Sequence, residues 1–137
     1  MRSTSYAMLT VFLLASIVLF NVNAIGQTQV KNLKNPVPTD AESVSAGQKI
    51  YAKACMMCHG QTGKGDGPIV KTLKPEATKP SSLVDDQWEH GSTDGEMFVM
   101  IRDGIGPKFE MKGQKGKVSD QEIWHLVNYV RSLAAKK

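Results

Sequence analysis

Two cysteines and a histidine stand together in the segment Cys55-Met56-Met57-Cys58-His59. This C-x-x-C-H spacing is the one that fastens a haem to a protein through two thioether bonds. Each thiol adds across one vinyl group of the porphyrin, and the histidine that follows can bind the iron from beneath the ring. The motif therefore predicts that Cys55 and Cys58 attach one covalent haem c and that His59 is the proximal iron ligand.

Three other kinds of site also use a cysteine pair. A zinc site needs four ligands, usually with a second close pair, whereas His90 and His125 lie far apart and there is no third cysteine. A disulfide between Cys55 and Cys58 would close a very small loop and stabilise little. A thioredoxin-like dithiol normally follows a strand inside a βαβ unit, but the segment before Cys55 has helical spacing. A dithiol and a metal site stay open as minor alternatives to haem attachment.

The first residues have the pattern of an export signal. Arg2 precedes an apolar run over residues 7–20, and Val22 and Ala24 supply the small side chains of a signal-peptidase site. Because the run is shorter than the roughly 20 residues that span a bilayer, we predict a signal peptide over residues 1–24. The protein is then exported to the periplasm or to the outer face of the cytoplasmic membrane. Only an uncleaved signal would anchor it in the membrane.

The charge of the chain is mildly basic, with a formal net charge of +4. A nucleic-acid partner would need a concentrated basic face, so this weak overall charge argues against one. The lysines instead cluster in two loops, and the members are Lys64, Lys71, Lys74, Lys79, Lys108, Lys112, Lys115 and Lys117. Around an exposed cofactor edge, such lysines would steer the protein toward acidic redox partners.

Beyond residue 24 the sequence predicts one all-α domain with about three to five helices and long loops. No segment shows the alternation of a strand, and there is no internal repeat. Residues 25–42 contain Pro36 and Pro38 and few apolar side chains, which favours a flexible leader. Residues 43–137 are predicted to form the folded domain.

The first helix is expected at about residues 44–58, with Ser43 as its N-cap. Residues 60–83 are rich in glycine and proline and are predicted to be a loop with at most a short helical turn at 69–73.

Two further helices carry clear start signals. Thr93 and Glu96 have capping-box spacing and predict a helix over 94–103 that stops at Gly104. The same capping-box spacing predicts the start of a last helix over 120–134. This helix presents one apolar stripe made by Ile123, Leu126, Val127, Val130 and Leu133.

Together these features resemble the class I cytochrome c family, in its small bacterial soluble form with one haem. Gly47 and Tyr51 are similar to the N-terminal helix of that family, whose glycine lets the C-terminal helix cross at close range. Residues 123–133 resemble the C-terminal helix, Gly67-Pro68 resembles the proline turn near the haem, and residues 109–112 stand where the methionine loop belongs. The resemblance covers residues 44–134 and implies the cytochrome c fold.

The second axial ligand has to be chosen among several methionines. Met56 and Met57 lie inside the attachment turn, and Met97 and Met100 lie on a predicted helical face, where methionine is commonly core filler. Met111 lies in the loop before the last helix and can reach the opposite side of the porphyrin, although the family usually has proline directly after this methionine and this chain has Lys112. We predict Met111 as the sixth ligand. The aromatic side chains expected around the porphyrin are Tyr51, Trp88, Phe98, Phe109, Trp124 and Tyr129.

The resemblance also implies that the carbonyl of Pro68 accepts a hydrogen bond from the second ring nitrogen of His59. Iron held by histidine and methionine suits a one-electron carrier, since neither oxidation state requires a change of ligands. We therefore predict an electron carrier, not an enzyme, that exchanges electrons with a dehydrogenase, a reductase or an oxidase. A haem protein with an open distal site, for gas binding or peroxidase chemistry, and a subunit of a larger oxidoreductase remain the alternatives.

Overall fold

The computed structural model describes residues 27–85, 87–106 and 111–134. Its elements in chain order are helix α1 (described over 27–32), α2 (Ala41–Ala54), α3 (Met56–His59), a 3-10 helix (Pro68–Thr72), α4 (Asp94–Asp103), strand β1 (Gly104–Ile105), β2 (Met111–Lys112) and α5 (Asp120–Ala134). The architecture is helical, as the sequence predicts. Within these described ranges, no helix has the length and apolar content needed to cross a membrane. The predicted signal peptide lies outside the described residues.

Helices α2 and α5 cross at Gly47. A Cβ atom at this position would lie 2.1 Å from the carbonyl oxygen of His125 and 2.7 Å from Cβ of Tyr129. Only glycine therefore permits this approach. Next to the crossing, the rings of Tyr51 and Tyr129 pack with centroids 5.1 Å apart.

The predicted apolar stripe of α5 forms the centre of the core. All five of its members, Ile123, Leu126, Val127, Val130 and Leu133, are buried. Helix α4 covers another part of α5, where the rings of Phe98 and Trp124 stack with centroids 4.2 Å apart. The helix periodicity thus predicted the buried face correctly.

The start of α4 is the capping box that the sequence predicts. The Thr93 hydroxyl accepts from the Glu96 amide at 3.3 Å, and a Glu96 carboxylate oxygen accepts from the Thr93 amide at 3.0 Å. These contacts lower the pKa of Glu96, chiefly through the Thr93 amide. The helix ends at Gly104, whose φ of 90° suits glycine.

The first predicted helix differs from the structure at both ends. Helix α2 begins at Ala41, because the Asp40 side chain accepts from the Ser43 amide and caps the helix. Ser43, the predicted cap, is instead buried, with its hydroxyl 2.8 Å from a ring nitrogen of His125. The helix is also interrupted at Cys55, where φ is −119°, so the last four residues of the motif form a separate short helix, α3.

The described part of the predicted flexible leader, residues 27–42, is packed on the domain, so this prediction is wrong there. Asn35 donates to the Asn128 side-chain oxygen at 2.8 Å, and Thr39 donates to the same oxygen at 3.1 Å. Asn128, only 2% exposed, donates in turn to the Pro38 carbonyl at 3.0 Å. A buried amide needs such partners, and polar contacts of this kind leave no apolar pattern in the sequence.

A two-stranded antiparallel pair was not predicted. Strands β1 and β2 pair Gly104 with Lys112 and Ile105 with Met111. Two-residue strands are too short to show an alternating pattern. Their pairing places Met111 beside the end of α4.

Candidate functional site

The motif begins where α2 ends. Cys55 lies in the break between α2 and α3, and its carbonyl accepts from the amides of Cys58 at 3.1 Å and His59 at 2.9 Å. Both cysteines are free thiols and partly buried. The turn thus brings two thiols and one imidazole together at the C-terminal end of α2.

The imidazole of His59 is held in one orientation. It is 9% exposed, and its Nδ1 lies 3.1 Å from the carbonyl oxygen of Ser81. A carbonyl oxygen can only accept, so Nδ1 donates and the neutral ring keeps the lone pair of Nε2 for a metal. Burial lowers the pKa of His59, against the opposing effect of the Ser81 hydrogen bond, which favours the neutral ring that a metal requires.

The acceptor predicted for this hydrogen bond, the Pro68 carbonyl, is not the one observed. Pro68 is exposed and begins the 3-10 helix, while the preceding Gly67 donates its amide to the Cys58 carbonyl at 3.1 Å. A Cβ at Gly67 would lie 2.4 Å from the Met57 carbonyl oxygen. The Gly67-Pro68 turn therefore packs against the motif backbone and does not touch the ring nitrogen.

The Ser81 carbonyl reaches His59 because two distant loops lie against each other. Gly63 accepts from the Leu83 amide at 2.7 Å, and a Cβ at Gly65 would lie 2.4 Å from the Pro80 carbonyl oxygen. Both glycines have φ near +75°, at 78° and 74°. Ser81 was not predicted to belong to the site, although the glycines at 63 and 65 are the sequence signal of this close approach.

A deep cavity and an adjoining groove open beside the motif. The deep cavity has a volume of about 80 Å³, and its lining is mostly apolar with a few polar groups, as in small-molecule and cofactor sites. Residues that line both spaces include Cys55, His59, Ser81, His90, Ile105 and Met111. Side chains from α2, α4 and α5 close the inner end of the deep cavity, among them Tyr51, Ile101, Leu126 and Val130.

Three methionines reach the cavity. Met111 is half-buried on β2 and lines both spaces, together with His59. Met97 and Met100 on α4 line the deep cavity but not the groove. Met97 is also part of the buried core. Met56 and Met57 are exposed on the attachment turn. Of these five methionines, Met111 is the one that lines both spaces together with His59.

The aromatic side chains expected around the cofactor divide into two groups. Tyr51 and Trp88 line the cavity, and the Tyr51 hydroxyl donates to the Gly60 carbonyl at 2.7 Å. Phe98, Trp124 and Tyr129 belong to the core, whereas Phe109 lies outside the described residues. His90 is exposed and also lines the deep cavity.

The electrostatics of the cysteines bear on the alternative of a redox dithiol. Reactive cysteines have lowered pKa values. Burial, and after it the neighbouring Cys58, raises the pKa of Cys55 to about 11. A buried thiol of this kind is a poor nucleophile at neutral pH and does not suit thiol–disulfide exchange.

The donor set fits a covalently bound haem. Such a group needs two unpaired thiols, a histidine nitrogen with a free lone pair and a largely apolar cavity. Cys55 and Cys58 are unpaired, His59 is fixed by Ser81, and the cavity lies directly beside them. Every requirement is met by residues that adjoin one another.

Comparisons with known proteins agree with this assignment. The family model described as Cytochrome c matches residues 44–134. The chain is 30% identical over 101 residues to the Cbb3-type cytochrome c oxidase subunit CcoP of Rhodobacter capsulatus, covering 70% of this chain and 31% of that protein. It is 27% identical over 97 residues to a thiosulfate dehydrogenase of Stutzerimonas stutzeri, covering 71% and 29%. The chain therefore spans about a third of the length of these relatives.

Two solved structures are also similar to this chain. A reducing HAO-like protein complex of Kuenenia stuttgartiensis superposes with a TM-score of 0.62 at 27% identity, covering 74% of this chain and 49% of that one. Cytochrome CL of Methylophaga aminisulfidivorans superposes with a TM-score of 0.54 at 28% identity, covering 74% and 58%. Since the family model matches well over half of the chain, the protein belongs to the cytochrome c family and is a c-type cytochrome.

Proposed function

We propose that the chain binds one haem c through Cys55, Cys58 and His59, with Met111 as the sixth ligand, and acts as a one-electron carrier. The observation that carries the proposal is that His59 and Met111 line the same cavity, while the His59 ring is fixed by its hydrogen bond to Ser81. A donor on each side of the iron would leave no open position for an external ligand.

The mechanism follows from what these residues would hold in place. When bound, the haem supplies an Fe(III)/Fe(II) couple. His59 offers a lone pair on a ring that Ser81 keeps from rotating, and this hydrogen bond makes the nitrogen a stronger donor. The Met111 thioether favours Fe(II) and so raises the potential. The apolar inner wall, with Ile101 and Leu126, excludes water and limits the rearrangement that accompanies electron transfer.

The surface around the adjoining groove fits an acidic redox partner. Lys79 and Lys112 line this groove, and both are exposed. Lys71 lies on the 3-10 helix and Lys74 follows it. Ile69 of the same helix lines the groove and is itself exposed. Lysines near an exposed cofactor edge would speed encounter with negatively charged proteins.

The names of the relatives favour electron exchange with an oxidase or a dehydrogenase. The CcoP relative is named as a subunit of a cytochrome c oxidase and the Stutzerimonas relative as a thiosulfate dehydrogenase. The cytochrome c domain over residues 44–134 fits either a diffusible carrier or the cytochrome subunit of an oxidoreductase. An exported location agrees with the predicted signal peptide.

Covalent attachment is tested by replacing both cysteines. The chain is expressed with a haem-attachment system, extracted with acid acetone and stained for haem on a denaturing gel. The parent should retain one haem per chain, and the Cys55→Ala/Cys58→Ala variant should retain none, because no thioether can form. The Met56→Leu/Met57→Leu variant changes only the residues between the cysteines and should keep its haem. Covalent haem in the cysteine variant would overturn the proposal.

A further inference from the structure

One wall of the deep cavity is a loop. Its residues Gln87, Trp88, Glu89, His90 and Gly91 all line the cavity, and residues 87–92 are called the Trp88 loop below. Trp88 is half-buried, whereas Glu89 and His90 are exposed. The loop leads directly into the capping box of α4, and its last residue, Ser92, donates its amide to Glu96 at 3.0 Å. Whether the cavity is open or closed to water on this side depends on where this loop lies.

One side chain from α5 contacts the loop at two points and α4 at a third. Arg131 donates from Nε to a carboxylate oxygen of Asp94 at 2.9 Å, and its terminal nitrogen donates to the Ser92 carbonyl. The guanidinium carbon also lies 5.6 Å from the centroid of the Trp88 ring. A planar guanidinium can make these contacts together, because its donors form a rigid fork and its face stacks on an aromatic ring.

The contacts could also be an ordinary surface ion pair. The side chains of Arg131 and Asp94 are 35% and 39% exposed, and pairs of that exposure add little to global stability. What sets this pair apart is its place, since it connects the last turn of α5, the first residue of α4 and a tryptophan of the cavity wall. Its effect should therefore appear in the cavity more than in the stability of the fold.

We propose that Arg131 is a positioning residue for electron transfer, which holds the Trp88 loop closed against the haem cavity. The inference rests on the proposed function, because it concerns a haem bound in that cavity. A closed loop keeps the cavity dry, and a low-dielectric surrounding disfavours the more highly charged ferric state. Arg131 thus keeps the midpoint potential high by excluding water through Trp88.

The decisive variant is Asp94→Ala, measured in the haem-loaded protein. Removal of a negative charge raises a haem potential by direct electrostatics, whereas release of the loop lowers it by admitting water. Loss of charge and release of the loop therefore predict opposite changes in the midpoint potential, and we expect this potential to fall. The Arg131→Lys variant keeps the positive charge and loses the fork, so its potential should also fall. A rise or no change in Asp94→Ala overturns the proposal.

The chain offers a matched control in a second arginine–aspartate pair. Arg102 donates to Asp103 at 2.8 Å and lies 5.2 Å from the centroid of the Phe98 ring, but none of the three lines the cavity. Asp103→Ala removes the same charge and should not lower the potential. An equal fall in this control would show that loss of any surface carboxylate is enough, and would overturn the proposal.

Hydrogen exchange provides a readout that is independent of the potential. The amides of residues 87–92 in Asp94→Ala should exchange roughly ten- to a hundred-fold faster, since a hydrogen bond to a charged group contributes that much to local stability. Amides of α2 and α5 should keep their protection. Unchanged exchange in the Trp88 loop of both variants would contradict the proposal. Loss of haem from the parent protein would instead contradict the proposed function itself.

Discussion

The hydrogen bond from His59 Nδ1 to Ser81 joins residues that lie 22 positions apart. The residues that attach the haem could be predicted from sequence, because the chemistry of haem attachment is confined to five consecutive residues. The acceptor could not, because any backbone carbonyl serves and the choice depends on how two loops pack. The glycines at 63 and 65, both in the left-handed region, are the trace that this packing leaves in the sequence.

At the same scale, Met111 is expected to be the methionine that binds iron. The Met111→Ala variant should lose the weak far-red ferric band of sulfur-to-iron ligation, and its potential should fall because the preference of the thioether for Fe(II) is lost. Met100→Leu is the matched control, since Met100 lines the deep cavity but not the adjoining groove. The far-red ferric band of the Met100→Leu variant should be unchanged. Survival of the band in Met111→Ala, with loss in Met100→Leu, would place the ligand on α4.

At the scale of elements, helix positions followed from periodicity and capping, as α4 and its Thr93–Glu96 box show. The leader was mispredicted for a physical reason. Several of its contacts with α5 are hydrogen bonds to Asn128, which carry no hydrophobic signal, and its apolar Val37 packs against the core cluster. The polar Asn128 beside the apolar stripe of α5 is one hint that the sequence offers. Buried polar residues on a core face therefore indicate a neighbouring segment that supplies partners.

The crossing of α2 and α5 predicts the effect of filling position 47. Alanine in place of glycine should stabilise an isolated helix by about 1 kcal/mol. Here Gly47→Ala should instead lower the free energy of unfolding by about 1–3 kcal/mol, because its Cβ meets a backbone oxygen of α5 and overpacks the interface. Urea denaturation of the haem-loaded protein measures this. Gln48→Ala, an exposed change on the same helix, is the control, and a more stable Gly47→Ala variant would contradict the close crossing.

At the scale of the whole molecule, the cavity completes a small fold. A domain of this size has limited apolar surface of its own to bury, and the deep cavity separates the motif from the inner face of α4 and α5. A bound haem would fill this space and join those elements. The loop at residues 87–92 could not be predicted as a wall of this cavity, since it has no regular pattern in the sequence.

The lysines around the groove predict how small redox reagents react with the protein. Oxidation by the anion ferricyanide should slow as salt rises, because the screening length falls to about 10 Å at 0.1 M. Oxidation by a cationic cobalt(III) complex should show the opposite trend. The Lys79→Glu/Lys112→Glu double variant should slow the ferricyanide reaction. Lys49 lines a different groove, between α2 and α5, so Lys49→Glu should leave the rate nearly unchanged. Equal effects at both places would argue against a directed basic surface.

The most direct test of a closed, electron-carrying site is a carbon monoxide titration of the reduced, haem-loaded protein, followed by its visible spectrum. If His59 and Met111 both bind the iron, the spectrum of the parent protein should not change at moderate carbon monoxide concentration, and the Met111→Ala variant should bind the gas readily. Full binding by the parent protein would contradict the closed site and would favour a gas-binding or peroxidase function instead.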